Sequence, residues 1–386
     1  AIDGSFVGSP FAAEQASAPP FTQIDAGMLG VAFSASAWGD YDGDGDLDIL
    51  LAGQTDAGPL TAIYANEGGA FTDVEAGLPA VDHAMLDWGD YDRDGDLDIL
   101  LGGLTATGDT TCVLRNDGGA FVDIGAGMPG LGWGSAAWGD ADGDGDLDIM
   151  LTGDSLAKHA ADIFLNDGGA FTPALAGLPA IRYSTVAWGD YDADHDLDLL
   201  VTGSEYSGAH LARIYRNDGG VLVDIEAGLP GVRSGSVDWG DYDADGDLDV
   251  LLTGLDEAFV PISRIFRNDD GSFASLGDDV LPGLSYSAAA WGDYDNDGDL
   301  DVLISGWQTV KESTRTSCIG RNEGGDVFAA RSAGATTTTT ATWTSCSRAP
   351  TSRSTGTAAS SATTPPSRTR RRPRRWACRA AGRAHS

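Results

Sequence analysis

Short apolar runs alternate with glycine-rich polar turns along most of this chain, and no stretch repeats its apolar residues at helical spacing. Residues 35–75 show the pattern. "ASAW" is short and apolar, and "LDILLAG" is a continuous apolar run of the kind buried on both faces. "AIYANEGGAFTDV" is two runs around Asn66-Glu67-Gly68-Gly69, the chemistry of a hairpin turn, and "AGLP" leads out. The pattern predicts four short antiparallel strands.

The set recurs. Its signature reads "WGDYDGDGDLDILLAG" at Trp38, "WGDYDRDGDLDILLGG" at Trp88 and "WGDADGDGDLDIMLTG" at Trp138. It continues as "WGDYDADHDLDLLVTG" at Trp188, "WGDYDADGDLDVLLTG" at Trp239 and "WGDYDNDGDLDVLISG" at Trp291. The steps between these tryptophans are 50, 50, 50, 51 and 52 residues. A period of that length means stacked supersecondary units. Four antiparallel strands per unit predict propeller blades, with a β-solenoid as the alternative, whose coils are usually shorter.

Each loop after the Trp-Gly pair carries aspartates at alternate positions. They are Asp40, Asp42, Asp44, Asp46 and Asp48 in the first and Asp90, Asp92, Asp94, Asp96 and Asp98 in the second. The third holds Asp140, Asp142, Asp144, Asp146 and Asp148, and the fourth Asp190, Asp192, Asp194, Asp196 and Asp198. The fifth holds Asp241, Asp243, Asp245, Asp247 and Asp249, and the sixth Asp293, Asp295, Asp297, Asp299 and Asp301. Five carboxylates this close repel one another unless a cation neutralises them. The spacing matches the front of a calcium loop: positions 1, 3, 5 and 9 offer side-chain oxygens, position 7 its backbone carbonyl, and Gly45 at position 6 allows the sharp turn. Hard oxygen donors in a flexible loop favour Ca²⁺ over zinc or copper, and Mg²⁺ keeps its waters. One Ca²⁺ per loop, six in all, is the expectation. No glutamate stands at position 12, where Leu51 is apolar, so the loop sits on strands and not in an EF-hand. The fourth loop has His195 where the others have Gly. His tolerates positive φ, so that site is expected to bind more weakly; His195 as a ligand is the alternative.

"DYDGDGDLDILL", the Trp-Gly before it and the "RNDGG-F" hairpin after it resemble the FG-GAP/VCBS repeat family, calcium-binding blades similar to those of integrin α-subunit propellers. The resemblance spans residues 20–330. It implies a seven-bladed propeller outside the cell, serving adhesion or ligand binding. The family's metal positions carry over onto every loop, with only the Gly→His change at 195 in question.

Charge sharpens the picture. The chain has 23 Lys+Arg and 59 Asp+Glu, but residues 331–386 contain eleven arginines and no acid, so the body 1–330 nets −47 (12 minus 59). A body that negative repels nucleic acid and anionic membrane. No run of eighteen apolar residues predicts a transmembrane helix. No signal peptide is visible, and residues 1–18 read as a flexible leader of a secreted or surface bacterial protein. Four cysteines are too few for a disulfide framework, and Cys112 and Cys318 are expected as buried thiols.

The tail breaks the pattern with "TTTTTATWTSC" from Thr336. Read one base late in a G/C-rich gene, Asp-Gly-Asp-Leu-Asp becomes Thr-Ala-Thr-Trp-Thr, the sequence Thr340 to Thr344. Gly334 to Thr339 then decodes as the lead-in, and "STGTAA" at Ser354 as a hairpin strand. Residues 331–386 are therefore expected to be a +1 frameshift of a seventh blade, poorly structured as written and leaving a gap beside blades 6 and 1. A basic interaction tail is the alternative. The stretch "PPFTQIDAGML" from Pro19 would supply that blade's closing strand, giving one propeller over 19–330.

The five histidines recur in no register and no nucleophile motif is present, so the expected role is non-enzymatic binding of an extracellular protein or polysaccharide. Loops after the second strand differ most between units and hold Tyr206, Trp307, Lys158 and Lys311 as candidate contacts. Alternatives are a fibre-forming surface subunit, self-associating through residues 1–18 as an added strand, and a polysaccharide lyase.

Overall fold

A computed structural model describes residues 24, 26–155, 159–174, 177–277, 280–308, 315–322, 324, 328–334 and 342–345. Among the described residues every element is a strand. The first unit is β1 (Ala32–Gly39), β2 (Asp48–Thr55), β3 (Gly58–Glu67) and β4 (Ala70–Asp73). The second is β5 (Asp82–Gly89), β6 (Asp98–Thr105), β7 (Gly108–Asn116) and β8 (Phe121–Asp123). The third is β9 (Gly132–Gly139), β10 (Asp148–Asp154), β11 (His159–Asp167) and β12 (Ala170–Ala174). The fourth is β13 (Ile181–Gly189), β14 (Asp198–Glu205), β15 (His210–Asn217) and β16 (Leu222–Asp224). The fifth is β17 (Val237–Gly240), β18 (Asp249–Leu255), β19 (Pro261–Asp269) and β20 (Ser272–Ser275). The last is β21 (Ser285–Gly292), β22 (Asp301–Trp307), β23 (Arg315–Asn322) and β24 (Phe328–Gly334), followed by β25 (Thr342–Ser345).

Within each unit the strands pair in sequence order and antiparallel. The third and fourth units merge into one eight-stranded sheet through a single pairing, Ala160↔Ile181, so six units make five sheets. The result is an all-β, propeller-like array. Among the described residues there are six four-stranded units where the resemblance implies seven. Residues 1–18, Lys158 and Lys311 lie outside the described residues, as does the predicted closing strand save Ile24.

The second strand of each unit is the apolar run, and in the first five units it is buried on both faces, whereas in β22 Leu303 is 51% exposed. Leu50, Leu100, Met150, Leu200 and Leu251 have no exposed surface. The core consists of five principal clusters, each lying between successive units: Leu50 and Ile63 meet Ile99, Leu101 and Leu114, for example. The period-50 repeat therefore buries its apolar surface only by stacking.

Units interlock through the Trp-Gly pair. A Cβ placed on Gly39, Gly89, Gly139, Gly189 or Gly240 would lie 2.6–2.8 Å from the next unit's tryptophan, Trp88, Trp138, Trp188, Trp239 or Trp291. Glycine is needed for this approach. Tyr41, Tyr91, Tyr191 and Tyr242 stack on the same tryptophans of the following unit at 6.1–6.3 Å between centroids. Among the described residues both ends of this series are open: Trp38 is 49% exposed, and nothing lies within 4 Å of a Cβ at Gly292.

The tail departs from expectation in one respect. Its residues Thr342–Ser345 pair with β24 as a fifth strand of the last sheet. β24 otherwise ends the sheet with unpaired backbone groups, and a threonine-rich segment of high strand propensity can satisfy them. Cys112 and Cys318 are buried and form no disulfide among the described residues, and burial pushes the Cys112 thiol up to about 12. Among the described residues no helix is long and apolar enough to cross a membrane.

Candidate metal centre

Each acidic loop joins the end of a unit's first strand to the start of its second. In the first unit, Asp48 opens β2 and is buried. Its Oδ2 accepts from the Tyr41 amide at 3.1 Å and its Oδ1 from the Asn66 amide at 2.8 Å. This carboxylate therefore ties the loop to the hairpin after β3. Asp40 shapes the turn by accepting from the Gly45 amide at 3.0 Å, and Asp44 by accepting from the Asp46 amide at 2.8 Å. The carboxylate of Asp46 turns away to accept from the Gly68 amide at 2.8 Å. That matches a position whose predicted contribution is a carbonyl and not a side chain.

The pattern repeats. Asp98, Asp148, Asp198, Asp249 and Asp301 each accept from the backbone amides of the residue after position 1 and of the hairpin asparagine. Positions 7 in the next four units, Asp96, Asp146, Asp196 and Asp247, again bond the hairpin turn.

The loops bring carboxylates together. Ligand oxygens lie within 4.8 Å of one another in Asp40, Asp42 and Asp48; in Asp90, Asp92 and Asp94; and in Asp140, Asp142 and Asp148. The same holds for Asp190, Asp192 and Asp194, for Asp241, Asp243 and Asp249, and for one further group. In the sixth loop Asp293 accepts from the Asp297 and Gly298 amides at 3.1 Å, and Asp297 accepts from Asp299 at 3.1 Å. There Arg321 reaches in, with Nε 2.6 Å from Asp295 and Nη2 3.2 Å from Asp297.

Two observations test whether a cation fits. Buried side-chain oxygens without a hydrogen-bond partner recur at Asp40, Asp90, Asp140, Asp243 and Asp295. Orphaned carboxylate oxygens are costly in a protein interior, and a hard divalent ion satisfies them. Burial also raises the position-9 carboxyls, with neighbouring aspartates adding to it and backbone amides opposing it. Asp98, Asp198 and Asp249 reach about 7 and Asp148 about 6. A cation among these groups would hold them ionised. The donor set, all oxygen, fits calcium.

His195 takes the glycine's place without changing the turn. Its φ is 80° against 90–106° for the five glycines, and its amide donates to Asp190 at 3.2 Å as the glycine amides do. Its side chain is 95% exposed and stands outside the carboxylate group. Sequence reading missed the asparagines Asn66, Asn116, Asn166, Asn217, Asn268 and Asn322. Their amides hold the position-9 carboxylates, and from the second unit on their side chains donate to a carbonyl of the preceding unit's loop, as Asn116 does to Tyr41 at 3.1 Å. The signal was present as the invariant Asn of the hairpin within this chain.

An all-β propeller-like array carrying one acidic loop per unit is the class these features define. Residues 22–101 match the family model of the FG-GAP-like repeat, and that match together with the propeller-like arrangement of sheets supports an FG-GAP repeat propeller. No curated protein matches it. Among solved structures it is similar to AofleA from Arthrobotrys oligospora, at 16% identity over 78% of this chain and 86% of that one, with a TM-score of 0.46. A triple arginine-to-alanine mutant of AofleA aligns at 13% identity over 77% and 90%, with a TM-score of 0.45.

Proposed function

We propose that the chain is a calcium-stiffened propeller that works outside the cell as a non-enzymatic adhesion or ligand-binding module. The observation that carries this is the recurrence of a converging aspartate group, joined in five of the six loops by a buried, unpartnered carboxylate oxygen. Asp40, Asp42, Asp44 and Asp48, with the Asp46 carbonyl, and their equivalents would hold the ions. Bound calcium joins the first and second strands to the hairpin, and its supply outside cells suits micromolar or weaker sites.

Closure by a seventh unit follows from the open ends. A further Trp-Gly pair would set its tryptophan on Gly292 and receive Trp38 on its glycine, and the shifted reading of residues 334–346 contains that pair. The same open ends favour a second reading, head-to-tail assembly of copies, which such non-closing contacts produce.

Capture of extracellular proteins and polysaccharides in calcium and in EDTA tests the proposal. Calcium-dependent capture supports it; capture indifferent to calcium, or depolymerisation of a polysaccharide, overturns it.

A further inference from the structure

The face opposite the acidic loops carries a feature the metal sites do not explain. Five residues before each signature tryptophan the chain is left-handed, at a bulge of the first strand in five units and at a bend just ahead of β17 in the fifth. These residues are Phe33 (φ 49°), His83 (46°), Trp133 (58°), Tyr183 (50°), Ser234 (52°) and Tyr286 (46°). Positive φ is rare for bulky side chains and costs about 1–3 kcal/mol where it is held. A glycine on the neighbouring second strand makes the bulge possible: a Cβ at Gly53 would lie 2.8 Å from Ser34, and one at Gly203 2.9 Å from Ser184. These left-handed residues also bond from unit to unit, the Ser234 amide to the Tyr183 carbonyl at 2.9 Å and the Tyr286 amide to the Ser234 carbonyl at 2.6 Å.

Rings gather at these positions. Phe33 stacks on His83 at 4.3 Å, His83 meets Trp133 at 3.5 Å, and Trp133 meets Tyr183 edge-on at 5.3 Å. Beyond Tyr183 the unit-five position is the small Ser234, and two guanidiniums fill the sector. Arg182 lies 5.0 Å from the Tyr183 ring and pairs with Asp154 at 3.3 Å. Arg233 lies 5.5 Å from Tyr183 and 5.1 Å from Phe259, has no ion pair among the described residues, and its Nε is buried without a partner. The His83 Nε2 is likewise buried without a partner, while its Nδ1 is 2.7 Å from Asp82. A body with 59 acids has thus placed an uncompensated arginine beside an aromatic arc.

We infer that this collar is the ligand site, and that it takes a saccharide whose pyranose ring carries a carboxylate. The inference rests on the binding-module reading above and names its site and ligand class. The exposed rings of Phe33 (57%) and Tyr286 (56%) present apolar surface against which the C–H face of a pyranose packs, and the stacked His83 and Trp133 hold the Phe33 ring in place. Arg233 offers a planar fork to the carboxylate, the geometry that favours bidentate pairing. A cationic ligand is disfavoured because Arg182 and Arg233 already occupy the ring faces of Tyr183 and Phe259. A nucleic acid is disfavoured by the acidic body around the collar.

Calorimetry on the calcium-saturated full chain tests this with a hyaluronan hexasaccharide, which carries glucuronate, and with chitohexaose, which is neutral. The hyaluronan fragment should bind at least about tenfold more tightly. Arg233→Gln should erase that preference, and Arg233→Lys should restore part of it. Trp133→Leu should weaken both sugars by about tenfold. Phe33→Ser, at a ring 57% exposed and clear of the core, should also weaken both without altering the melting temperature. No binding of the hyaluronan fragment by the parent, equal binding of the two sugars, or unchanged binding in Phe33→Ser and Arg233→Gln would overturn the inference. Those results would leave the calcium-module reading standing, which fails on separate outcomes: a purified chain that holds no calcium, capture indifferent to calcium, or depolymerisation of a polysaccharide.

Discussion

Replacing Gly139 with alanine should cost stability that the same change at Gly292 does not. A Cβ on Gly139 would sit 2.6 Å from Trp188 Cδ1 and 2.7 Å from its Nε1, where ordinary contacts begin at 3.4 Å. The overlap is about 0.8 Å, the difference of those two distances. Trp188 cannot retreat freely, because it packs on the cluster containing Met150, Val186 and Tyr215. Overpacking of this size costs about 1–3 kcal/mol. In a stacked array that cost falls on the contact between the third and fourth units and weakens both. At Gly292 nothing among the described residues lies within 4 Å, so the added methyl should change stability by less than about 0.5 kcal/mol. Guanidinium unfolding of the three proteins in calcium, with slope and midpoint fitted separately, measures the difference. Equal midpoints for the parent and Gly139→Ala, or an equal loss in Gly292→Ala, would refute the interlock. Restoring the reading frame after residue 330 should make Gly292→Ala costly as well, because a new tryptophan would then cover it.

Further outcomes follow from the same geometry. Asp87 joins neighbouring units by accepting from the Trp88 and Trp138 amides at 3.0 and 3.2 Å, and burial lifts its carboxyl to about 7; Asp238 does the same for Trp239 and Trp291 and is lifted to about 6. The folded chain then holds protons that the unfolded chain has released, so these groups' contribution is full below about pH 4 and fades as pH rises to about 7. The unfolding midpoint of Asp87→Asn should therefore decline less than the parent's over that range. His195→Gly should stabilise the chain by about 1 kcal/mol, because a left-handed residue loses its strain; a lower melting temperature would count against that. Arg321→Gln should tighten calcium at the sixth loop by up to about fivefold, the worth of a partly exposed ion pair, when read by titration calorimetry.

Most of the architecture was legible because it repeats. Six copies of one strand pattern declare four-stranded units, and alternate aspartates after a Trp-Gly pair declare the loops. The role of that glycine was hidden, since a contact between residues fifty apart leaves no local trace; only the folded structure places Trp188 on Gly139. The collar was hidden for another reason. Phe33, His83, Trp133, Tyr183, Ser234 and Tyr286 share a backbone conformation and not a residue type, so no motif marks them. Their one sequence sign was the glycine ending "LLAG", which reads as a turn former yet lies within a strand opposite a bulge. The pairing of Thr342–Ser345 with β24 was missed because an exposed edge accepts any extended segment, whatever its pattern.

The most direct test is a metal count on purified chain, joined to melting curves in calcium and in EDTA. The account predicts about six calcium ions per chain, one for each acidic group, and a melting temperature that falls sharply when they are removed. A chain that carries no calcium and melts identically in both buffers would contradict it.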